Sequence, residues 1–150
     1  MTKDEQYMQI AIEEAEKAKA LDEVPIGAVI VCGDQIIARA HNLRERDNRA
    51  IGHAEILAIE KANQILQSWR LDTCDLYVTI EPCPMCAGAI IQSRIKRVVY
   101  GAKDYKSGVH ESVMNLFEYP FNHQVEVVSG VLEHKCTNIL KTFFKELRKR

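Results

Sequence analysis

An apolar run from Leu76 to Ile80 leads directly into Glu81-Pro82-Cys83-Pro84-Met85-Cys86, and this junction constrains the chain more than any other stretch. Pro84 suits the first position of a helix, where its missing amide proton is one the helix would leave unpaired anyway. Cys83 and Cys86 then lie three apart on one helical face, at the end whose polarity favours thiolates. The stretch therefore predicts a strand, a sharp entry and a helix that opens on two thiols. Taken alone, the pair is compatible with a metal site, a Cys-x-x-Cys redox couple or apolar packing.

A second stretch bears on that choice. His53-Ala54-Glu55 opens another run, Ile56, Ile59, Ala62, Ile65 and Leu66, whose spacing is helical. The run puts His53 and Glu55 in a first turn, with Ile56 and Ile59 facing a core. His53, Cys83 and Cys86 form a ligand set that suits Zn2+ with a fourth, water-filled position, and Glu55 is placed to handle the proton of that water. A closed, structural site would need a fourth protein ligand, for which His41 is the candidate.

The 150 residues are enough for one domain, 1–150, with a sizeable core. No apolar run approaches membrane-spanning length, and the Met1-Thr2-Lys3-Asp4-Glu5 terminus has no apolar signal core, so a cytoplasmic protein with no membrane association is expected. Cys32, Cys74 and Cys136 lie in or near apolar runs and read as reduced thiols. The net charge of -1 conceals an asymmetry. Residues 1–75 carry 14 acids and 9 bases, residues 76–150 carry 7 acids and 11 bases, and Lys141 to Arg150 hold five bases against Glu146. A polyanion could be met locally at that end, although a solvated, favourably charged helix terminus would look the same.

Taken in order, the chain predicts an amphipathic helix over Glu5–Leu21 and a strand over Val24–Val31, with Pro25 at its start. A turn at Cys32-Gly33-Asp34-Gln35 joins it to a hairpin partner over Ile36–Ala40. An irregular, solvent-facing loop over Leu43–Gly52 precedes the helix that His53 opens, which runs to about Gln67. Leu76–Ile80, Arg97–Tyr100 and Val125–Val128 read as further strands. Pro84 to about Gln92 is a helix, Ser112–Phe117 a short helix behind an N-cap, and residues from about 132 to 150 a basic terminal helix. The expected fold class is α/β, a three-layer arrangement of a mixed five-stranded sheet with helices on both faces.

These residues resemble the cytidine-deaminase-like superfamily, and within it the bacterial adenosine deaminases that act on tRNA. The likeness is carried by Glu23-Val24-Pro25-Ile26-Gly27-Ala28, His41-Asn42, His53-x-Glu55, Pro82-Cys83-x-x-Cys86-Ala87-Gly88, Ser93-Arg94-Ile95, Val99-Tyr100-Gly101-Ala102, the Asp104-x-Lys106-x-Gly108 stretch and Phe143-Phe144. The resemblance implies hydrolysis of adenosine to inosine at the wobble position, 34, of tRNA, by a homodimer that holds the anticodon loop between its subunits and carries one Zn2+ in each. It implies that His53, Cys83 and Cys86 bind the zinc, Glu55 shuttles protons and Asn42 holds the base. Asp104, Lys106, Phe144 and Arg148 would lie near flanking nucleotides or backbone. The chain departs from the family pattern at Ala50-Ile51-Gly52 and at Val109-His110-Glu111, where a carboxylate appears beside the expected RNA face; neither departure removes a ligand.

From the residues alone, Asn42 offers a donor and an acceptor to a purine edge or caps a turn. Of Phe143 and Phe144, one is expected to pack inward and the other to be free to stack on a base. The competing functions are a deaminase of a free base or nucleotide such as guanine or cytosine, which has no use for the basic tail, and a zinc-bearing RNA-binding module, which has no use for Glu55.

Overall fold

The computed structural model describes residues Met1–Arg150. Thr2 starts helix α1 (Lys3–Ala20) with a reciprocal cap, its hydroxyl accepting from the Glu5 amide while the Glu5 carboxylate accepts from the Thr2 amide. Strand β1 (Gly27–Cys32) begins later than the apolar pattern suggests. Pro25 has no amide to give a ladder, and Ile26 spends its own on the Val24 carbonyl at 2.9 Å, so pairing starts at Gly27. Gly33, at φ 64°, turns the chain into β2 (Gln35–His41).

Helix α2 (Ala54–Leu66) follows the 43–52 loop, β3 (Cys74–Ile80) leads into α3 (Pro84–Gln92), and β4 (Arg97–Ala102), β5 (Glu126–Val128) and α4 (Glu133–Arg148) complete the chain. The sheet order is β2-β1-β3-β4-β5, with β1 antiparallel to both β2 and β3, and β3, β4 and β5 mutually parallel. Side chains alternate across this sheet. Ala28, Ile30, Leu76, Val78, Val98 and Tyr100 pack with Ala54, Ala58 and Ala62 of α2 and Ile90 and Ile91 of α3. Val29, Val31, Tyr77 and Val99 face the opposite way, toward Met8, Ala11 and Ile12 of α1 and Cys136 of α4. The result is the expected three-layer α/β arrangement.

Two expectations change. The core stripe of α2 is made by Ala54, Ala58, Ile59 and Ala62, whereas Ile56 is only half-buried and Ile65 and Leu66 are exposed. Ser112–Phe117 is not a helix; only a single 3-10 turn forms, Leu116–Glu118, capped by Asn115, because Ser112 is bonded to Glu81 instead of opening a helix. No helix is long and apolar enough to cross a membrane.

One ion cluster ties the layers together at the end of the sheet where β3 begins. Arg97 of β4 grips the Asp4 carboxylate through both Nη atoms, at 2.9 and 2.5 Å, while the Tyr77 hydroxyl donates to the same carboxylate at 2.7 Å. These bonds hold the Asp4 carboxyl below its ordinary range despite partial burial. A carboxylate with a depressed folded-state pKa stabilises the fold above its unfolded value of about 3.8 and loses that contribution as pH falls through the folded value. Asp4→Asn should therefore lower unfolding free energy by about 1–3 kcal/mol at pH 7 in urea titrations, and the gap from the parent should narrow as pH falls below the unfolded value of about 3.8 and through the lower folded one.

Candidate active site

Two helices begin at the same place. His53 is the N-cap of α2 and Cys83 the N-cap of α3, and neither side chain makes a capping hydrogen bond. Both are turned toward each other instead. The His53 Nδ1 atom lies 3.7 Å from the Cys83 Sγ and 3.6 Å from the Cys86 Sγ, and the three donor atoms are within 4.8 Å of one another. Metal–sulfur bonds of about 2.3 Å and a metal–nitrogen bond of about 2.0 Å at a tetrahedral angle put sulfur and nitrogen about 3.5 Å apart, so the spacing fits a metal ion held by these three residues. Pro84 at the start of α3 removes an amide that would otherwise need a partner.

The electrostatics agree with a shared site. The Cys83 thiol is pulled down to about 4, first by the Cys86 thiol and then by His53, while the same partnership and burial push Cys86 far up. One thiolate forms readily, and a second needs the charge of a cation. His53 is raised by its bond to Cys83. His41 is outside this group: its Nδ1 pairs with the Glu14 carboxylate at 2.9 Å, so it supplies no fourth ligand from that atom.

Glu55 sits in the first turn of α2 and is 3% exposed. Burial raises its carboxyl to about 7, with the charge of Cys83 adding to the shift. A carboxyl poised there can both accept and return a proton near neutral pH.

The surrounding loops are fixed by other carboxylates. Glu23 accepts the amides of Glu45 at 3.2 Å and Arg46 at 2.6 Å, and Leu43 donates to the Gly52 carbonyl at 3.1 Å, which draws the neck of the 43–52 loop together next to His53. Asn42, at that neck, accepts from the Arg44 amide at 3.0 Å and donates to the Val24 carbonyl at 3.2 Å. It thus caps a turn with part of its bonding capacity, and retains one Nδ2 proton and one lone pair for a ligand. Beyond β4, Asp104 accepts the amides of Lys106 and Ser107, which leaves Lys106 exposed on a tight turn. His110 and Glu111 both engage the Tyr100 hydroxyl, at 2.8 and 3.0 Å, and Lys103 neutralises Glu111 at 3.4 Å. The carboxylate of the departing segment is therefore paired inside the chain.

On α4 the two phenylalanines divide as expected, with Phe143 buried and Phe144 40% exposed, their rings edge to face 5.4 Å apart. Arg148 is exposed, and Arg150 pairs with Asp22, which brings the end of α4 beside the loop into β1. Because β1 runs antiparallel to β3, that loop lies at the sheet edge where β3 ends and Cys83 follows. The loop-fixing roles of Glu23 and Glu81 are not signalled by local pattern; the one hint is that Glu81 stands beside a proline at the end of an apolar run.

A family model described as MafB19-like deaminase matches residues 2–148. The tRNA-specific adenosine deaminase of Bacillus subtilis (strain 168) is 58% identical over 151 residues, covering 100% of this chain and 94% of that protein. A solved structure from biochemical and structural studies of A-to-I editing by tRNA:A34 deaminases at the wobble position of transfer RNA is 45% identical, with a TM-score of 0.87, and covers 90% of this chain and 99% of the other. The structure of a guanine deaminase from Bacillus subtilis is 29% identical with a TM-score of 0.65, covering 100% of this chain and 96% of that one.

Metal analysis and X-ray absorption on the purified protein should find about one ion per chain with two sulfur and lighter donors, and Cys83→Ser or Cys86→Ser should lose it. A third sulfur ligand, or full metal retention in both variants, would defeat the assignment.

Proposed function

The chain belongs to the MafB19-like deaminase family, and from that membership we infer that it hydrolyses adenosine to inosine at the wobble position, 34, of a tRNA anticodon, with release of ammonia. The observation that carries this reading is the meeting of His53, Cys83 and Cys86 beside a buried Glu55, in a chain whose likeness to a tRNA-specific adenosine deaminase runs its full length. His53, Cys83 and Cys86 would hold a zinc ion, which when bound would lower the pKa of water toward neutrality.

The chain's own residues do the rest. Glu55 takes one proton of the attacking water and delivers it to the purine N1 next to the attacked carbon, then takes the proton left on the hydroxyl at that carbon and passes it to the amino group, which departs as ammonia as the carbonyl forms. Asn42, with its remaining donor and acceptor, registers the edge of the purine. Asp104 and Lys106 meet the flanking nucleotides or backbone from one side. Phe144 and Arg148 do so from α4, with Phe144 free to stack on an unpaired base. The enzyme works as a homodimer on the anticodon loop, in the cytoplasm, and residues 1–150 act as one catalytic domain with the basic helix included.

A free-base deaminase would use the same His53, Cys83, Cys86 and Glu55. It would leave the exposed aromatic and basic residues of α4 without a task, and the guanine deaminase is the more distant relative in both identity and fold. An unpaired loop base also needs little unstacking to enter the pocket, whereas the same adenosine in a duplex should react poorly.

Glu55→Gln should keep fold, metal and RNA affinity while turnover drops by roughly three or more orders of magnitude, because both proton transfers lose their carrier. Turnover within about tenfold of the parent would reject that role. The substrate is decided by equal-enzyme assays on a wobble-adenosine stem-loop, the guanosine counterpart, free adenosine, guanine and cytosine. Conversion of a free base with none of the adenosine stem-loop would overturn the tRNA reading while leaving the deaminase chemistry in place. Phe144→Ala, or removal of residues 148–150, should weaken stem-loop binding with no loss of metal, and the truncation should also flatten the salt dependence of binding.

A further inference from the structure

Glu81, two residues before Cys83, has a carboxylate that accepts five hydrogen bonds. The amides of Asp104, His110, Glu111 and Ser112 donate to it at 3.1, 2.9, 2.9 and 3.1 Å, and the Ser112 hydroxyl donates at 2.5 Å. The side chain is 1% exposed. Gly108 lies directly over it, so that a Cβ at this position would collide with the carboxylate. The Val109 amide donates to the Pro82 carbonyl at 3.0 Å, which fastens the same segment to the residue before Cys83.

The segment held in this way, between β4 and the Leu116–Glu118 turn, has no helix or strand of its own. Fixing such a backbone costs conformational entropy, so its order depends on bonds from outside. Its outer side carries Lys103, Tyr105 and Lys106, with Tyr105 79% exposed. Lys103 is paired with Glu111, so the exposed Tyr105 beside the unpaired Lys106 on a fixed turn is the arrangement that stacks a base and neutralises a phosphate. All the strong acceptor positions of Glu81 are occupied, so it has none left for a reacting group.

We propose that Glu81 is a positioning residue for the substrate: its carboxylate holds residues 104–112 as a preformed wall beside Cys83, so that an unpaired nucleic-acid loop docks on Tyr105 and Lys106 without first ordering them. The proposal rests on the tRNA reading above. Preorganisation removes an ordering penalty that would otherwise fall on binding, so its loss shows in KM and not in the proton transfers.

Glu81→Gln tests it, since the amide must turn a donor group toward backbone donors. On the wobble-adenosine stem-loop, KM should rise about tenfold while kcat stays within about threefold and the zinc content of the holoenzyme is unchanged. The amides of Asp104, His110, Glu111 and Ser112 should exchange with solvent about tenfold faster or more, with those of α3 unaffected. Gly108→Ala, which drives a Cβ into the carboxylate, should move both readouts the same way. Ser112→Ala, which removes one donor, should move them less. A fall in kcat and zinc together with unchanged KM would overturn the proposal and make Glu81 a prop of the metal site; unchanged exchange in Glu81→Gln would overturn it as well. A parent enzyme inactive on the stem-loop would reject the tRNA reading, and the exchange of these four amides would still decide whether Glu81 orders the wall.

Discussion

For His53, Cys83 and Cys86 to reach one ion, the N-termini of α2 and α3 must meet at the carboxyl end of β3, and much of the architecture follows from that requirement. Central β3 runs antiparallel to β1 and parallel to β4, so the entry to β1 and the exits from β3 and β4 share one edge. An N-cap serine or aspartate would be worth about 1 kcal/mol to each helix, and both helices forgo it. His53 and Cys83 stand at the caps with no capping bond, and the polarity of two helix starts is directed at the thiolates instead. Close approach of α2 to the sheet relies on small side chains, with Ala54, Ala58 and Ala62 on the helix against Ala28, Ala38 and Ala40 on the strands.

The same logic separates the buried glutamates into two kinds. Glu81 and Glu55 are nearly equally hidden, yet their carboxyls move in opposite directions, to about 2 and about 7. Burial raises both. Around Glu81 it is outweighed by the Ser112 hydroxyl and by the backbone amides that donate to the charged form; around Glu55 burial prevails and the Cys83 charge reinforces it. Glu14 belongs with Glu81, since Lys17 and His41 hold it charged against burial. A carboxylate whose lone pairs are all used is a structural fastener, and one left short of donors is available for proton transfer.

What the sequence made legible was local. The apolar run of β3, the proline at the start of α3 and the His-x-Glu spacing each act over a few residues, and the meeting of His53, Cys83 and Cys86 and the three-layer order follow from them. The rest depended on partners distant in sequence. Ser112 reads as a helix cap until Glu81, 31 residues away, takes both its amide and its hydroxyl. His41 reads as a spare ligand until Glu14, 27 residues away, takes its ring. In α2 the apolar spacing marked the face and, on it, Ile59 and Ala62 of the core, but the tight contact with the sheet adds Ala54 and Ala58 and leaves Ile56 half-buried and Ile65 and Leu66 near the rim.

The charge asymmetry gains meaning from the same long-range pairing. With a net charge of -1 the chain has little overall field, and at physiological salt a surface charge acts over only about 8 Å. The C-terminal bases can therefore help a polyanion reach the site only if the fold carries them to it. Several acids that would offset them are spent internally: Asp4 on Arg97, Glu14 on Lys17 and His41, and Glu23 on loop amides. Among the last ten residues, Arg150 alone forms an ion pair, and its partner Asp22 directly precedes the Glu23 that fixes the loop leading to His53. The tail is thus tied to the loop into β1, on the side of the candidate metal group, and Lys141, Lys145, Arg148 and Lys149 carry unpaired charge on the helix that ends there. A phosphate backbone approaching this edge meets both the basic tail and the wall formed by residues 104–112 only if both are held to the same strand ends. The pairing of Arg150 with Asp22 and the anchoring of the wall by Glu81 converge on that one edge.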